Sequence, residues 1–179
     1  MRAYFITFST YGSRLPGDAR GSIDKRANSY GEPMFPPSRG LVGSFRLAMR
    51  WPPYRMGDPE RVVVANAIVA AFRKGDQSLL ALNVRTNHVH LVCEPSGPPE
   101  AAMNAAKAVA TGALRRASLV DAERKVWSRH GSTRYLFEEL DVTSAANYVV
   151  ELQGANLGGA WYSDPRFTFD GRQAGELLC

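Results

Sequence analysis

Cysteine is scarce in this sequence, which holds only Cys93 and Cys179, far apart along the chain. So sparse a set excludes a disulfide-stapled scaffold and predicts two reduced thiols in an intracellular protein. Long apolar runs are also missing, since no segment approaches the roughly 20 apolar residues needed to cross a bilayer. The N-terminal residues lack the basic start and apolar stretch of a signal peptide. These absences predict a cytoplasmic protein without a membrane partner.

Positive charge is concentrated in one part of the 179-residue chain, whose length suits a single domain with its own core. Residues 107–134 hold seven Lys or Arg residues against two acidic ones, a local charge of +5. A localised basic surface suits a phosphate backbone, although a solvated helix face would have the same composition. The candidate DNA-contacting residues in this stretch are Lys107, Arg115, Arg116, Arg129, His130 and Arg134.

Residue patterns predict a first strand, a long irregular insertion and then alternating helices and strands. Residues 3–9 are aromatic and β-branched, which is typical of a strand. Residues 10–58 are rich in Gly, Pro, Arg and Ser, which indicates an irregular insertion that has at most a short element at 41–49. The remaining predicted elements are a helix over 59–74 capped by Asp58, strands over 78–85 and 88–94, a helix over 99–119, a mixed strand and turn segment over 125–137, a helix over 142–153 capped by Thr143 or Ser144, and an unpatterned tail over 155–179.

The order of these elements predicts the fold class. The short break at Thr86-Asn87 makes the two middle strands antiparallel neighbours. The two earlier helices each connect strands of the same small sheet. We therefore expect an α+β ferredoxin-like sandwich, with an antiparallel sheet and helices on one face, in a single domain over residues 1–179.

His88 and His90 form the sharpest chemical feature of the sequence. Residues i and i+2 of a strand point to the same face, so the two imidazoles would project side by side. Two adjacent cationic rings would repel each other, and a metal is the natural way to hold both neutral and fixed. The alternative is a pair of unrelated surface or core histidines. Two protein ligands leave coordination positions open, as a catalytic metal requires, and further ligands could come from Glu151, Gln153 or His130.

Tyr148 lies on the last predicted helix, where a tyrosine is more often a core residue than a catalytic one. A phenol can nevertheless attack phosphorus and form a covalent phosphotyrosine. Helix geometry brings Glu151, three residues later, to the same face, whereas Gln153 would need the helix to end near it.

The segment 83–92, with Asn-His-Val-His-Leu at its centre, resembles the HUH motif of single-tyrosine transposases, a family that includes insertion-sequence enzymes and REP-associated tyrosine transposases. The strand at 4–8, Trp127 and the segment 131–136 support the resemblance. Tyr148 follows His90 by 58 residues, the distance expected in the family.

The resemblance implies a ferredoxin-like fold, a divalent cation (Mg²⁺ or Mn²⁺) and cleavage of single-stranded DNA near a hairpin, which leaves a 5′-phosphotyrosine and a free 3′-hydroxyl. In that reading His88 and His90 are metal ligands and Tyr148 is the nucleophile. The family commonly has a polar third ligand four residues after the tyrosine, but Leu152 stands there and cannot bind a metal. Gln153 is the favoured substitute, because similar family members carry Gln-Gly just after the tyrosine, and Glu151 is the second candidate.

Two other readings stay open. A domesticated relative could bind single-stranded DNA or hairpins without cleaving them, and Leu152 favours this reading. An unrelated metalloenzyme could use the histidine pair on a small substrate, in which case DNA binding with a steep salt dependence would be missing. Relatives occur as monomers and as dimers with shared sites, so a homodimer is open as well.

Overall fold

A computed structural model of the chain describes residues 3–19, 37–75, 77–153 and 159–167. Much of the predicted insertion, most of the predicted tail and Cys179 lie outside these residues. The described elements, in chain order, are β1 (Ala3–Thr10), α1 (Arg39–Leu47), α2 (Asp58–Lys74), β2 (Ser78–Val84), β3 (His88–Glu94), α3 (Pro99–Arg116), β4 (Trp127–Leu136), α4 (Glu139–Val150) and β5 (Trp161–Ser163).

The five strands form one sheet in the order β4-β1-β3-β2-β5, and every neighbouring pair is antiparallel. The run from β1 through α2, β2, β3 and α3 to β4 is the split βαβ arrangement of ferredoxin-like folds. The predicted α+β class and the antiparallel pairing of the two middle strands are therefore confirmed.

The two faces of the sheet are covered by different helices, because side chains alternate along each strand. Ile6 and Leu91 belong to a core cluster with residues of α2 and α3, and we call this side the double-helix face. Leu80 and Val92 form a second cluster with residues of α4, and we call this side the site face. The prediction that the helices share one face is right for α2 and α3 and wrong for α4. The apolar stripe of α4, which includes Val149, is buried against the opposite side of the sheet.

Several element ends differ from the predicted ones for local reasons. The last helix begins at Glu139 rather than at 142 and ends at Val150, so neither Thr143 nor Ser144 caps it. Acidic residues in its first turn suit the positive end of the helix dipole without a side-chain cap. Gly57, rather than Asp58, is the N-cap of α2. Helix α3 ends at Arg116, three residues before the predicted end. Just beyond it, Ser118 adopts a left-handed φ of 55°.

The predicted mixed segment at 125–137 is a ten-residue edge strand, β4. It packs closely on β1 at Gly131, where an added Cβ would meet the Thr7 carbonyl oxygen, the Phe8 side chain and the Met103 sulfur. The described part of the insertion holds one helix, α1, whose N-cap Ser38 accepts a hydrogen bond from the Leu41 amide. None of the helices in the described part of the chain is long and apolar enough to cross a membrane.

Candidate functional site

His88 and His90 both project from β3 onto the site face, as the strand alternation predicts. Their ring centroids are 4.6 Å apart and their planes are inclined by 72°. Burial, with His88, Arg14 and Arg85 adding positive charge nearby, lowers the pKa of His90 to about 3. Burial and the same two arginines also lower the pKa of His88, against a hydrogen bond with the Gln153 side chain that raises it. Both rings are therefore neutral near pH 7, the state in which imidazole binds a metal.

Each imidazole is oriented by a contact at its Nδ1 atom. The Nδ1 atom of His90 lies 2.7 Å from the Thr7 hydroxyl on β1, which is the strand partner of His90. The Nδ1 atom of His88 lies 2.7 Å from the Oδ1 atom of Asn87. Because that carboxamide oxygen only accepts hydrogen bonds, a neutral His88 carries its proton at Nδ1 and its lone pair at Nε2. Such second contacts fix the tautomer and ring orientation of metal-binding histidines.

Tyr148 lies on α4 over the same face and is 42% exposed. Its ring meets His90 edge-on at a centroid distance of 5.9 Å, and it meets Phe5 at the same distance. Phe5 in turn stacks on His90 at 5.4 Å. The phenol is thus held beside the histidine pair by aromatic packing while it remains accessible to solvent.

Asn83 ties the tyrosine helix to the sheet. It lies opposite His90 in the β2–β3 pairing and is almost fully buried. Its Nδ2 atom donates a hydrogen bond of 2.9 Å to the carbonyl oxygen of Val149, the residue after Tyr148. Carbonyls in the last turn of a helix have no partner within the helix, so this bond satisfies one of them and fixes the end of α4.

Among the third-ligand candidates, Gln153 contacts the histidine pair through its side-chain hydrogen bond to His88. It also donates to the carbonyl oxygen of Tyr148 at 3.3 Å. Glu151 lines an open cavity on the side of α4 that also carries Asn147. His130 lies on β4, which β1 separates from β3. Within the described residues no group of three or more His, Cys, Asp or Glu residues could hold a metal, so a third protein ligand there would be of another type, such as the Gln153 amide.

The surroundings of the site contain two arginines that composition alone did not single out. Arg14 follows β1, and Arg85 follows β2, so their placement depends on the sheet bringing both strand ends to the histidines. Both lower the pKa values of His88 and His90 through their charge. Positive charge beside two neutral imidazoles suits an anionic ligand such as a phosphodiester.

The predicted DNA contacts divide into exposed and buried residues. Arg115 and Arg116 are exposed at the end of α3, and Arg129, His130 and Arg134 are exposed on β4. Arg134 pairs with Phe5 of β1 and so belongs to the site face.

The structure contradicts the prediction that Lys107 is an exposed DNA contact. It is only 8% exposed, and its ammonium donates hydrogen bonds to the backbone carbonyls of Ser128 and His130. Burial lowers its pKa to about 8. Helix α3 presents this residue to the sheet and not to solvent, which a charge count along the sequence cannot reveal.

No model of a protein family matches the chain, and no curated protein matches it. One solved structure similar to the chain is described as a REP-associated tyrosine transposase bound to a REP hairpin. The match has 13% sequence identity and a TM-score of 0.43, and it covers 82% of this chain. The chain spans 63% of the length of that structure.

Proposed function

We propose that the protein is a transposase-like endonuclease and strand transferase that acts on single-stranded DNA through Tyr148 and a divalent cation. The observation that carries this proposal is the placement of an accessible phenol beside two neutral imidazoles. Tyr148 and His90 are 5.9 Å apart between ring centroids, and Tyr148 is 42% exposed. One phosphate of a bound strand could therefore face both the attacking oxygen and the imidazole pair.

The proposed reaction exchanges one phosphate ester for another. The phenol oxygen of Tyr148 forms a bond to phosphorus, and the bond from phosphorus to the 3′ oxygen breaks. The products are a 5′-phosphotyrosine and a free 3′-hydroxyl, and attack by a 3′-hydroxyl in the reverse sense joins strands. Arg14 and Arg85 supply positive charge on the side of the histidines, where the phosphate would lie.

The residues present fit a divalent cation, Mg²⁺ or Mn²⁺. His88 and His90 are neutral and the Nδ1 atom of each is engaged, by Asn87 and by Thr7, so their Nε2 atoms would be the metal ligands. Gln153 supplies an amide beside His88. When bound, the cation would polarise the scissile phosphate and stabilise the charge that develops during attack.

The test uses a hairpin-bearing single-stranded oligonucleotide, because the HUH-like segment implies a hairpin substrate. Incubation with Mn²⁺ should give a covalent protein–DNA adduct, and Tyr148→Phe should abolish it. Tyr135→Phe is the matched control, since Tyr135 is similarly exposed (49%) but pairs with Tyr4 on the double-helix face. An adduct that persists in Tyr148→Phe would show that another residue is the nucleophile.

A second candidate function is a non-catalytic protein that binds single-stranded DNA or hairpins. Leu152 favours it, because this residue stands at the usual third-ligand position and is 65% exposed without any metal-binding group. Equal hairpin affinity in the presence of EDTA and of Mn²⁺, together with no cleavage, would select this function over the enzyme.

A further inference from the structure

A second cationic surface lies near the histidines, and none of its Lys or Arg residues belongs to the predicted DNA contacts. We call it the Arg–Trp surface and define it as Tyr11, Arg50, Trp51, Arg55, Arg124 and Lys125. Three parts of the chain form it: Tyr11 just after β1, the end of the insertion and the segment before β4. Arg124 joins the last two by donating a 2.8 Å hydrogen bond to the carbonyl oxygen of Pro52.

Cations and aromatic rings alternate across this surface. The guanidinium carbon atoms of Arg50 and Arg124 lie 5.5 and 5.7 Å from the centre of the Trp51 ring. The ammonium of Lys125 lies 5.2 Å from the centre of the Tyr11 ring. Trp51 and Tyr11 are only half-buried, so their rings are partly open to a ligand. Interleaved cations and accessible rings are the combination that proteins use to bind unpaired nucleic acid.

The Arg–Trp surface is connected to the histidine strand by hydrogen bonds. The Tyr54 amide donates to the Tyr11 carbonyl at 2.8 Å, and the Thr10 amide donates to the carbonyl of Asn87 at 2.9 Å. Arg55 reaches the Thr86 hydroxyl at 3.3 Å, two residues before His88. The surface therefore begins beside the turn that leads into β3.

Close packing also holds this surface in place. Gly12 has a φ of 73°, which favours glycine, and a Cβ there would collide with Met49 and approach the Pro53 backbone. Residues 49–53 consequently lie directly on the end of β1. This packing holds the segment that carries Trp51 against the end of β1.

The charge of the surface favours an anion. It has four cations, Arg50, Arg55, Arg124 and Lys125, and the acidic residues near it include Asp121, Glu123 and Glu60, which acts on Tyr54 beneath Arg124. Glu123 pairs with Arg50 at 2.7 Å, but both side chains are 73% exposed. Such exposed pairs contribute little and exchange readily for a phosphate. Arg14 and Arg85 continue the positive charge toward the histidines.

We propose that the Arg–Trp surface binds the unpaired DNA strand that enters or leaves the histidine site. Its cations contact successive phosphates, and Trp51 stacks on a base. This inference rests on the proposed function for the identity of the strand, but binding does not depend on cleavage. The chemistry requires an unpaired polynucleotide, because a base within a duplex does not offer its face to an indole ring.

The experiment measures binding of an oligothymidine of about 20 nucleotides, longer than most single-strand sites, by fluorescence anisotropy in EDTA with the Tyr148→Phe protein. Each phosphate contact contributes about 0.7 to the slope of log affinity against log salt for single strands. The double variant Arg55→Gln/Lys125→Gln should therefore lower this slope by about 1.4. Arg73→Gln/Lys74→Gln is the matched control, since it removes the same charge from exposed residues at the other end of α2.

Trp51 gives an independent readout. Of the three tryptophans, Trp127 is buried and Trp161 is half-buried on β5. The oligothymidine should quench tryptophan fluorescence of the unsubstituted protein, and Trp51→Phe should remove most of that quenching. A duplex of the same length should quench far less, and an oligouridine arm tests whether the surface distinguishes DNA from RNA.

The outcomes separate this inference from the proposed function. A salt slope that is unchanged in the double variant, or lowered equally by the control pair, overturns it, as does the absence of oligothymidine binding. Quenching that persists in Trp51→Phe overturns the stacking role. If the double variant loses binding while no Tyr148 adduct ever forms, the surface stands and the enzymatic function fails. If the Tyr148 adduct forms and the double variant binds normally, the enzymatic function stands and the Arg–Trp surface does not bind the strand.

Discussion

Replacement of Asn83 by Ala should weaken the fold and the reaction together. The change removes the Asn83 Nδ2 atom, which donates a buried hydrogen bond of 2.9 Å to the Val149 carbonyl oxygen. A buried acceptor left without its partner costs about 1–3 kcal/mol of unfolding free energy. For a chain of this length each kcal/mol lowers the Tm by about 2–4 °C, so we expect a decrease of about 2–12 °C.

The same bond fixes the end of α4 beside Tyr148, so adduct formation should slow as well. A displacement of about 1 Å at a reacting group can reduce a rate on the order of 100-fold. The assay combines differential scanning calorimetry with adduct formation at a temperature where both proteins are folded. Asn104→Ala, at an exposed position of α3, is the control and should melt within about 0.5 kcal/mol of the unsubstituted protein. An Asn83→Ala protein that melts and reacts normally would refute this account of how α4 is held.

Thr7→Val removes the oxygen beside the Nδ1 atom of His90, and Mn²⁺ affinity measured by calorimetry should fall about 10- to 100-fold, as for other second contacts of metal ligands. Lys107→Met tests the buried ammonium. Because the pKa of Lys107 is lowered to about 8, the unfolded chain binds more protons than the folded one from pH 8 up to the unperturbed value, and stability relative to the Met variant should rise across that window in chemical denaturation. Gly131→Ala places a methyl group against Met103 and the Thr7 carbonyl, so it should lower the Tm and weaken Mn²⁺ binding.

Each of these three predictions has a contradicting result. Unchanged Mn²⁺ affinity in Thr7→Val would mean that the hydroxyl does not orient His90. A stability difference between the unsubstituted protein and Lys107→Met that is constant above pH 8 would mean that the ammonium is solvated. A Gly131→Ala protein with an unchanged Tm would mean that β4 can move away from β1 at no cost.

Local patterns were sufficient to predict the sheet and the histidine strand. The alternation around His88 and His90, and the short break before them, depend only on neighbouring residues. The face on which α4 lies could not be predicted in the same way, because the helical period identifies an apolar stripe but not the side of the sheet that receives it. The result is that α4 and the two earlier helices enclose the sheet from opposite sides.

The surroundings of the site depend on contacts between distant residues. Thr7 meets His90 across 83 residues of chain, and Arg14 approaches both histidines only because β1 and β3 are paired. For Lys107 the sequence predicted exposure wrongly, because a basic residue in a basic stretch is expected to face solvent. Only the packing of α3 on the sheet shows that it is buried. Trp51 and Arg124 are separated by an intervening helix–strand–strand–helix segment, so their contact has no local signal.

The most direct test of the central claim is to locate the covalent bond by mass spectrometry. Trypsin should release residues 135–166 from the protein–DNA adduct as one peptide, which contains Tyr135, Tyr148 and Tyr162. Fragmentation of this peptide should place the nucleotide phosphate on the phenol oxygen of Tyr148 alone, and only when Mn²⁺ was present. A phosphate on either of the other two tyrosines, or a hairpin substrate that stays intact with no modified peptide at any metal concentration, would contradict the pairing of this phenol with His88 and His90 as a catalytic unit.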